Sequence, residues 1–171
     1  MVVQAIEGSE AYRYVLDEEV LKDRKAIEAA GLGPEDFENW GNELYKNGKY
    51  KESAEKYSDA LEAAKKIPSP LEPDKDAISN VLANRAACWL KLKMWENVIE
   101  DCGQCLEFDS KSWKAHWRMG EAHRLMQGAK NKEAAILCYR RCLALEGLSE
   151  NTSKRIERAL QKLKTDDSEA S

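Results

Sequence analysis

A chain of 171 residues, 34% of them charged but with a net charge of only −4, has the size of one compact domain with its own core. It lacks the basic excess with which proteins grip a nucleic-acid backbone. It also lacks any run approaching the ~18 apolar residues a membrane helix needs.

Taken in chain order, Met1 to Gly8 shows no basic region followed by a long apolar stretch, so no secretory signal is expected. A helix is predicted over 9–30: Ser9 can cap it, Tyr12, Val15 and Leu16 share a face, and Gly31 can end it. Pro34 suits the first turn of the next helix. The stretches Asn42-Glu-Leu-Tyr-Lys-Asn-Gly-Lys-Tyr50 and Ala87-Cys-Trp-Leu-Lys-Leu-Lys-Met-Trp95 each end one helical pattern and lead into another, over 51–64 and 96–108. A third pair of helices is predicted over 114–126 and 132–145, with a turn in 127–131. Ser149 can cap a last helix, in which Ile156, Ala159, Leu160 and Leu163 form one apolar stripe. The remainder, 165–171, is small and acidic and reads as a disordered tail. The few prolines and glycines fall between these patterns, and no β-type alternation interrupts them, so the fold class is all-α.

Self-similarity then gives the architecture. The first copy reads Phe37-x2-Trp40-Gly41-x2-Leu44, then Ser53-x3-Tyr57 and Ala60. The second reads Leu82-x2-Arg85-Ala86-x2-Trp89, then Val98-x3-Cys102 and Cys105. The third reads His116-x2-Met119-Gly120-x2-His123, then Ala135-x3-Tyr139 and Cys142. Gly41, Ala86 and Gly120 are small where two helices should cross closely. Ala86 and Gly120 are 34 residues apart; Gly41 and Ala86 are 45 apart, the surplus falling in the proline-rich stretch 68–76. This pattern resembles the tetratricopeptide repeat, a helix pair with that period. The resemblance implies three helix-turn-helix repeats over 34–148 in a right-handed superhelix, an N-terminal helical extension over 1–33 and a capping helix over 149–164.

In such a fold the first helix of each repeat lines a concave face, and residues four apart on it point the same way. Asn42 and Lys46 then share a face on the first repeat, Asn84 and Lys91 on the second, and Lys114 and Arg118 on the third. Amide donors and cations gathered in an acidic protein suit an acidic peptide, with the asparagines holding its backbone and terminal carboxylate. The set resembles the carboxylate clamp of co-chaperone repeats, which bind the Glu-Glu-Val-Asp tails of cytosolic heat-shock chaperones. Asn42, Asn84, Lys114 and Arg118 match four of the five clamp positions, and Asn84-Arg-Ala-Ala-Cys88 is typical of that class. The fifth position, a lysine in the family, holds Glu38. A carboxylate there would cost roughly 2–4 kcal/mol of peptide binding, part of which Lys46 offsets. The expected function is therefore that of a co-chaperone or adaptor. The alternative is a scaffold subunit that holds a partner helix or loop without reading a free carboxylate.

Five cysteines, an odd number without a secretory signal, fit reduced thiols in a cytoplasmic or nuclear protein. The spacings Cys102-x2-Cys105 and Cys138-x3-Cys142 would put each pair on one helix face, as a zinc site requires. Cys102, Cys105 and Cys142 nevertheless fall at core positions of the repeat, so buried packing is expected and no metal or other cofactor is implied. His116 and His123 take packing positions, and Trp113 and Trp117, which flank Lys114, are read as helix-packing residues, the alternative being that they border the groove. No nucleophile, base and carboxylate come together in the pattern, so no enzymatic activity is expected.

Overall fold

The computed structural model describes residues 31–65, 74–146 and 148–165. Seven helices and no strand occur among the described residues. The helix predicted over 9–30, the proline-rich stretch as far as residue 73 and the tail from 166 onward lie outside them. The chain divides into two compact units, the second beginning at Asp74.

The first unit is a helix pair, α1 (Pro34–Lys46) and α2 (Tyr50–Lys65). Pro34 opens α1 with its φ already helical, and the Asp36 carboxylate accepts a hydrogen bond from the Gly33 N–H at 2.8 Å. Phe37, Trp40 and Gly41 form the buried stripe of α1. Ser53, Ala54, Tyr57, Ala60 and Ala64 form that of α2 at the spacings of one helical face. The chain reverses through Gly48, whose φ of +76° favours glycine. At the crossing, a Cβ on Gly41 would lie 2.7 Å from the Tyr57 ring, and the Ser53 hydroxyl donates to the Gly41 carbonyl at 2.7 Å.

The second unit continues with α3 (Lys75–Lys91), α4 (Trp95–Phe108), α5 (Trp113–Met126), α6 (Ala129–Leu143) and α7 (Glu150–Thr165). Each helix packs on the next, and α3 also packs on α5. The Asp74 side chain caps α3 by accepting from the Asp76 and Ala77 N–H groups. Lys93 occupies the left-handed region at φ 60°, two residues beyond the end of α3, as Gly48 stands two beyond α1. A non-glycine residue there costs about 1–2 kcal/mol. At the third crossing a Cβ on Gly120 would lie 2.6 Å from the Tyr139 ring. At the second, the position of the tyrosine is held by the smaller Cys102, and its partner Ala86 carries a methyl; both are fully buried.

Ile156, Leu160 and Leu163 of α7 close the core over Ala135, Tyr139 and Cys142, with Trp113 and Trp117 packed alongside. Burying each aliphatic side chain contributes roughly 1.5–3 kcal/mol, which is why the last helix stays on the bundle. One sequence expectation is corrected. The second helix of the third repeat starts at Ala129, not near residue 132. Tyr139 stands 19 residues after Gly120 where Tyr57 stands 16 after Gly41; the link from α5 is only Gln127 and Gly128, both at positive φ, so the three extra residues of this repeat lengthen α6 ahead of Tyr139 rather than its turn.

Candidate peptide-binding residues

In the first unit, Asn42 follows Gly41 on α1, half-buried. The Tyr57 hydroxyl donates to its Oδ1 at 2.7 Å. With its oxygen accepting from that hydroxyl, the amide's remaining hydrogen-bonding capacity is chiefly that of its NH2 donors. The third repeat repeats this wiring with a different group. Glu121 follows Gly120, and the Tyr139 hydroxyl donates to its carboxylate. Burial, and then that bond, push the Tyr139 hydroxyl well above its ordinary pKa. Lys46 is the last residue of α1, exposed, with Nζ 2.6 Å from the Glu43 carboxylate. Such an exposed pair is worth at most about 1 kcal/mol, so it releases readily to a competing anion. Glu38 lies half-buried one turn before Asn42.

In the second unit, Asn84 is half-buried on α3, and Lys91 ends that helix, exposed, about two turns further on. The residue after Asn84 has a structural task. Arg85 forms a bidentate pair with the buried Asp101, at 2.9 Å from Nε and 2.7 Å from Nη2, and the Trp89 indole N–H donates to the same carboxylate at 3.0 Å. This network ties α3 to α4. Lys114 is exposed at the start of α5, and Arg118 stands one turn later, half-buried. Burial pushes the Cys102 thiol up to about 12, and the Arg118 charge opposes that rise, which puts the guanidinium close to α4. Because α3 packs on α5, Asn84 lies on the helix beside the one that carries the Lys114 and Arg118 pair.

All five thiols are buried, and Cys102, Cys105 and Cys142 have no exposed surface, as their core positions led us to expect. No three Cys, His, Asp or Glu side chains come together as a metal site among the described residues. His116 is buried, with Nε2 3.3 Å from the Ser110 carbonyl, and burial lowers its pKa. The ring is therefore neutral near pH 7 and donates from Nε2. His123 Nδ1 meets the Asn131 side-chain oxygen at 3.1 Å. Among the described residues no helix is long and apolar enough to cross a membrane. The sequence pattern marks Tyr57 and Tyr139 only as repeat positions and assigns their hydroxyls no role. The only signal was that a polar residue directly follows the glycine of the crossing, Asn42 in one repeat and Glu121 in the other.

No family model matches the chain. It is similar in sequence to the Hsp70/Hsp90 co-chaperone CNS1 of Saccharomyces cerevisiae, being 38% identical over 88 residues, which make up 52% of this chain and 21% of the yeast protein. The chain thus spans about a fifth of that relative's length. In structure it is similar to the Arabidopsis OM64 TPR domain, with a TM-score of 0.63 at 25% identity, over 76% of this chain and 95% of that one. It is similar also to the second TPR domain of human RPAP3 in complex with the HSP70 peptide SGPTIEEVD, with a TM-score of 0.60 at 26% identity, over 77% and 98% of the two chains. The glycine–tyrosine crossing recurs in the first and third helix pairs, and with relatives of this kind the chain has the tetratricopeptide-repeat fold and resembles the repeat domains of co-chaperones.

Proposed function

We propose that this chain is a protein-interaction module of the co-chaperone or adaptor type, which binds the acidic C-terminal segment of a cytosolic heat-shock chaperone and catalyses nothing. The observation that carries the reading lies in the second unit. Lys114 and Arg118 stand one turn apart on α5, and α3, which bears Asn84, packs against that helix. Two cations and an amide suit a chain of carboxylates, with Arg118 able to form two parallel hydrogen bonds to one of them. By the resemblance to the clamp, Asn42 of the first unit, whose Oδ1 accepts from the Tyr57 hydroxyl, is a further candidate donor. Lys46 and Lys91, at exposed helix ends, add attraction that salt will screen. The RPAP3 domain in complex with a peptide ending in Glu-Glu-Val-Asp supports the choice of ligand, as does the description of CNS1 as an Hsp70/Hsp90 co-chaperone.

Glu38 favours a second reading, a scaffold that holds a partner helix or loop without reading a free carboxylate. Titration of labelled SGPTIEEVD and of its C-terminal amide separates the two. On the first reading the free acid binds with a Kd on the order of micromolar and the amide about tenfold more weakly. Arg118→Ala weakens the complex, and Glu38→Lys strengthens it. Equal affinity for acid and amide would select the scaffold. No response to Glu38→Lys would remove Glu38 from the site.

A further inference from the structure

Helix α7 has a second character besides its apolar stripe. Arg155, Arg158 and Lys162 recur at spacings of three and four and so share one face. They line a cleft of about 890 Å³ together with Arg124 of α5 and Lys132 of α6. Five cations from three helices thus converge in a chain whose net charge is −4. Among the described residues of the lining, Glu121 alone is acidic, and it is engaged by the Arg124 guanidinium at 2.7 Å and by the Tyr139 hydroxyl. The helix dipole favours a cation in the last turn of a helix, but it does not account for cations of three helices facing one space.

The floor of the cleft is apolar, formed by Trp117, Ala159 and Leu163. Such a floor lowers the local dielectric and strengthens the attraction of any anion that enters. The Arg155 guanidinium lies over the Trp117 ring, 5.5 Å from its centroid. Held over the ring by cation–π attraction, the guanidinium keeps N–H groups with which to meet a carboxylate. It also restrains a long exposed side chain in advance, which reduces the entropy lost on binding.

We propose that this cleft is an anion-binding surface that takes a carboxylate-rich stretch of the partner protein, upstream of the C-terminus that the residues above would hold. The proposal rests on that reading and extends it along α5. Lys114 and Glu121 lie two turns apart on one face of α5, and Arg124 is ten residues, or about 15 Å, beyond Lys114. An extended peptide covers that distance in about four or five residues. The acidic stretch therefore sits at least that far before the residues bound at Lys114 and Arg118.

Two peptides test this, SGPTIEEVD extended at its N-terminus by four glutamates or by four glutamines, titrated in low salt. The glutamate peptide should bind about fivefold tighter. That advantage should vanish in Arg155→Gln/Arg158→Gln, which leaves the affinity for SGPTIEEVD itself unchanged. The wild-type comparison stands even if the double variant fails to fold. If SGPTIEEVD binds and the two extensions are equal, the cleft proposal falls and the tail reading survives. If SGPTIEEVD fails to bind while an amidated glutamate peptide binds and loses affinity in the double variant, the cleft survives and the tail reading falls. Should neither bind, both fall. A ten-residue oligothymidylate that binds tighter than the glutamate peptide would also overturn the proposal, assigning the cleft to nucleic acid.

Discussion

Gly120→Ala tests the crossing on which the third repeat is built. The added methyl would lie 2.6 Å from Tyr139 Cε1 and 2.7 Å from Cδ1, against an ordinary contact of 3.4 Å or more. The ring must therefore retreat by roughly 0.8 Å or the helices must part. The ring is poorly placed to retreat, because its hydroxyl is bound to Glu121 and its face packs against Trp117 with centroids 5.3 Å apart. Forced overpacking of this kind costs about 1–3 kcal/mol, and a ring held at both ends belongs near the upper limit. Against this, alanine is better than glycine in a helix by about 1 kcal/mol. The net expectation is a loss of about 2 kcal/mol, or roughly 4–8 °C in Tm for a chain of this length, read by circular dichroism at 222 nm and by the urea midpoint. Gly103, in mid-α4, is the internal control. A Cβ there meets nothing within 4 Å, so Gly103→Ala should stabilise by about 0.5–1 kcal/mol. If Gly120→Ala raised Tm as Gly103→Ala does, the close crossing would be refuted.

Two further outcomes are expected. Asp101→Ala leaves Arg85 without its bidentate partner and Trp89 without its acceptor; it should cost about 3 kcal/mol in urea unfolding, and a double change to Arg85→Met/Asp101→Leu should recover most of that, whereas a loss under 1 kcal/mol would show the network to be idle. For His116, burial lowers the pKa in the folded state, so the unfolded chain takes up the proton more readily; stability is complete above the unfolded value of about 6.5 and declines as pH falls through it toward the folded one. The fall in Tm between pH 7.5 and 5.5 should accordingly be smaller in His116→Gln than in the wild type, and equal falls would rule the residue out.

The helix pairs were legible because their buried residues recur at helical spacing and because glycine or alanine marks each crossing. Phe37, Trp40 and Gly41 in one helix and Ser53, Tyr57 and Ala60 in the next suffice to draw the first pair, and all six are buried. The core role of Cys102, Cys105 and Cys142 was legible for the same reason. The start of α6 was not, because Lys130, Asn131 and Lys132 carry no apolar period and nothing marks Ala129 as a helical residue. The pairing of Arg85 with Asp101 was hidden as well. The two are sixteen residues apart, and which charge opposes which depends on how the helices meet, not on spacing within either. The basic face of α7 was readable as a spacing, but its meaning depended on Arg124 and Lys132, which other helices supply.

The lengthened α6 bears on how repeats of this kind tolerate change in length. Three residues added at the start of a helix move its first residue about 4.5 Å outward but only about 60° around the axis, since 3.6 residues complete a turn. The helix therefore still begins on nearly the same side, and a link of only Gln127 and Gly128 can close it while Tyr139 stays on Gly120. One or two added residues would begin the helix about 100° or 200° away and would need a longer link. Length in this fold is therefore quantised. Insertions near a whole turn are absorbed silently into a helix, whereas others must surface as loops. A repeat whose spacing departs by three residues thus keeps its crossing contact, as Tyr139 on Gly120 does here.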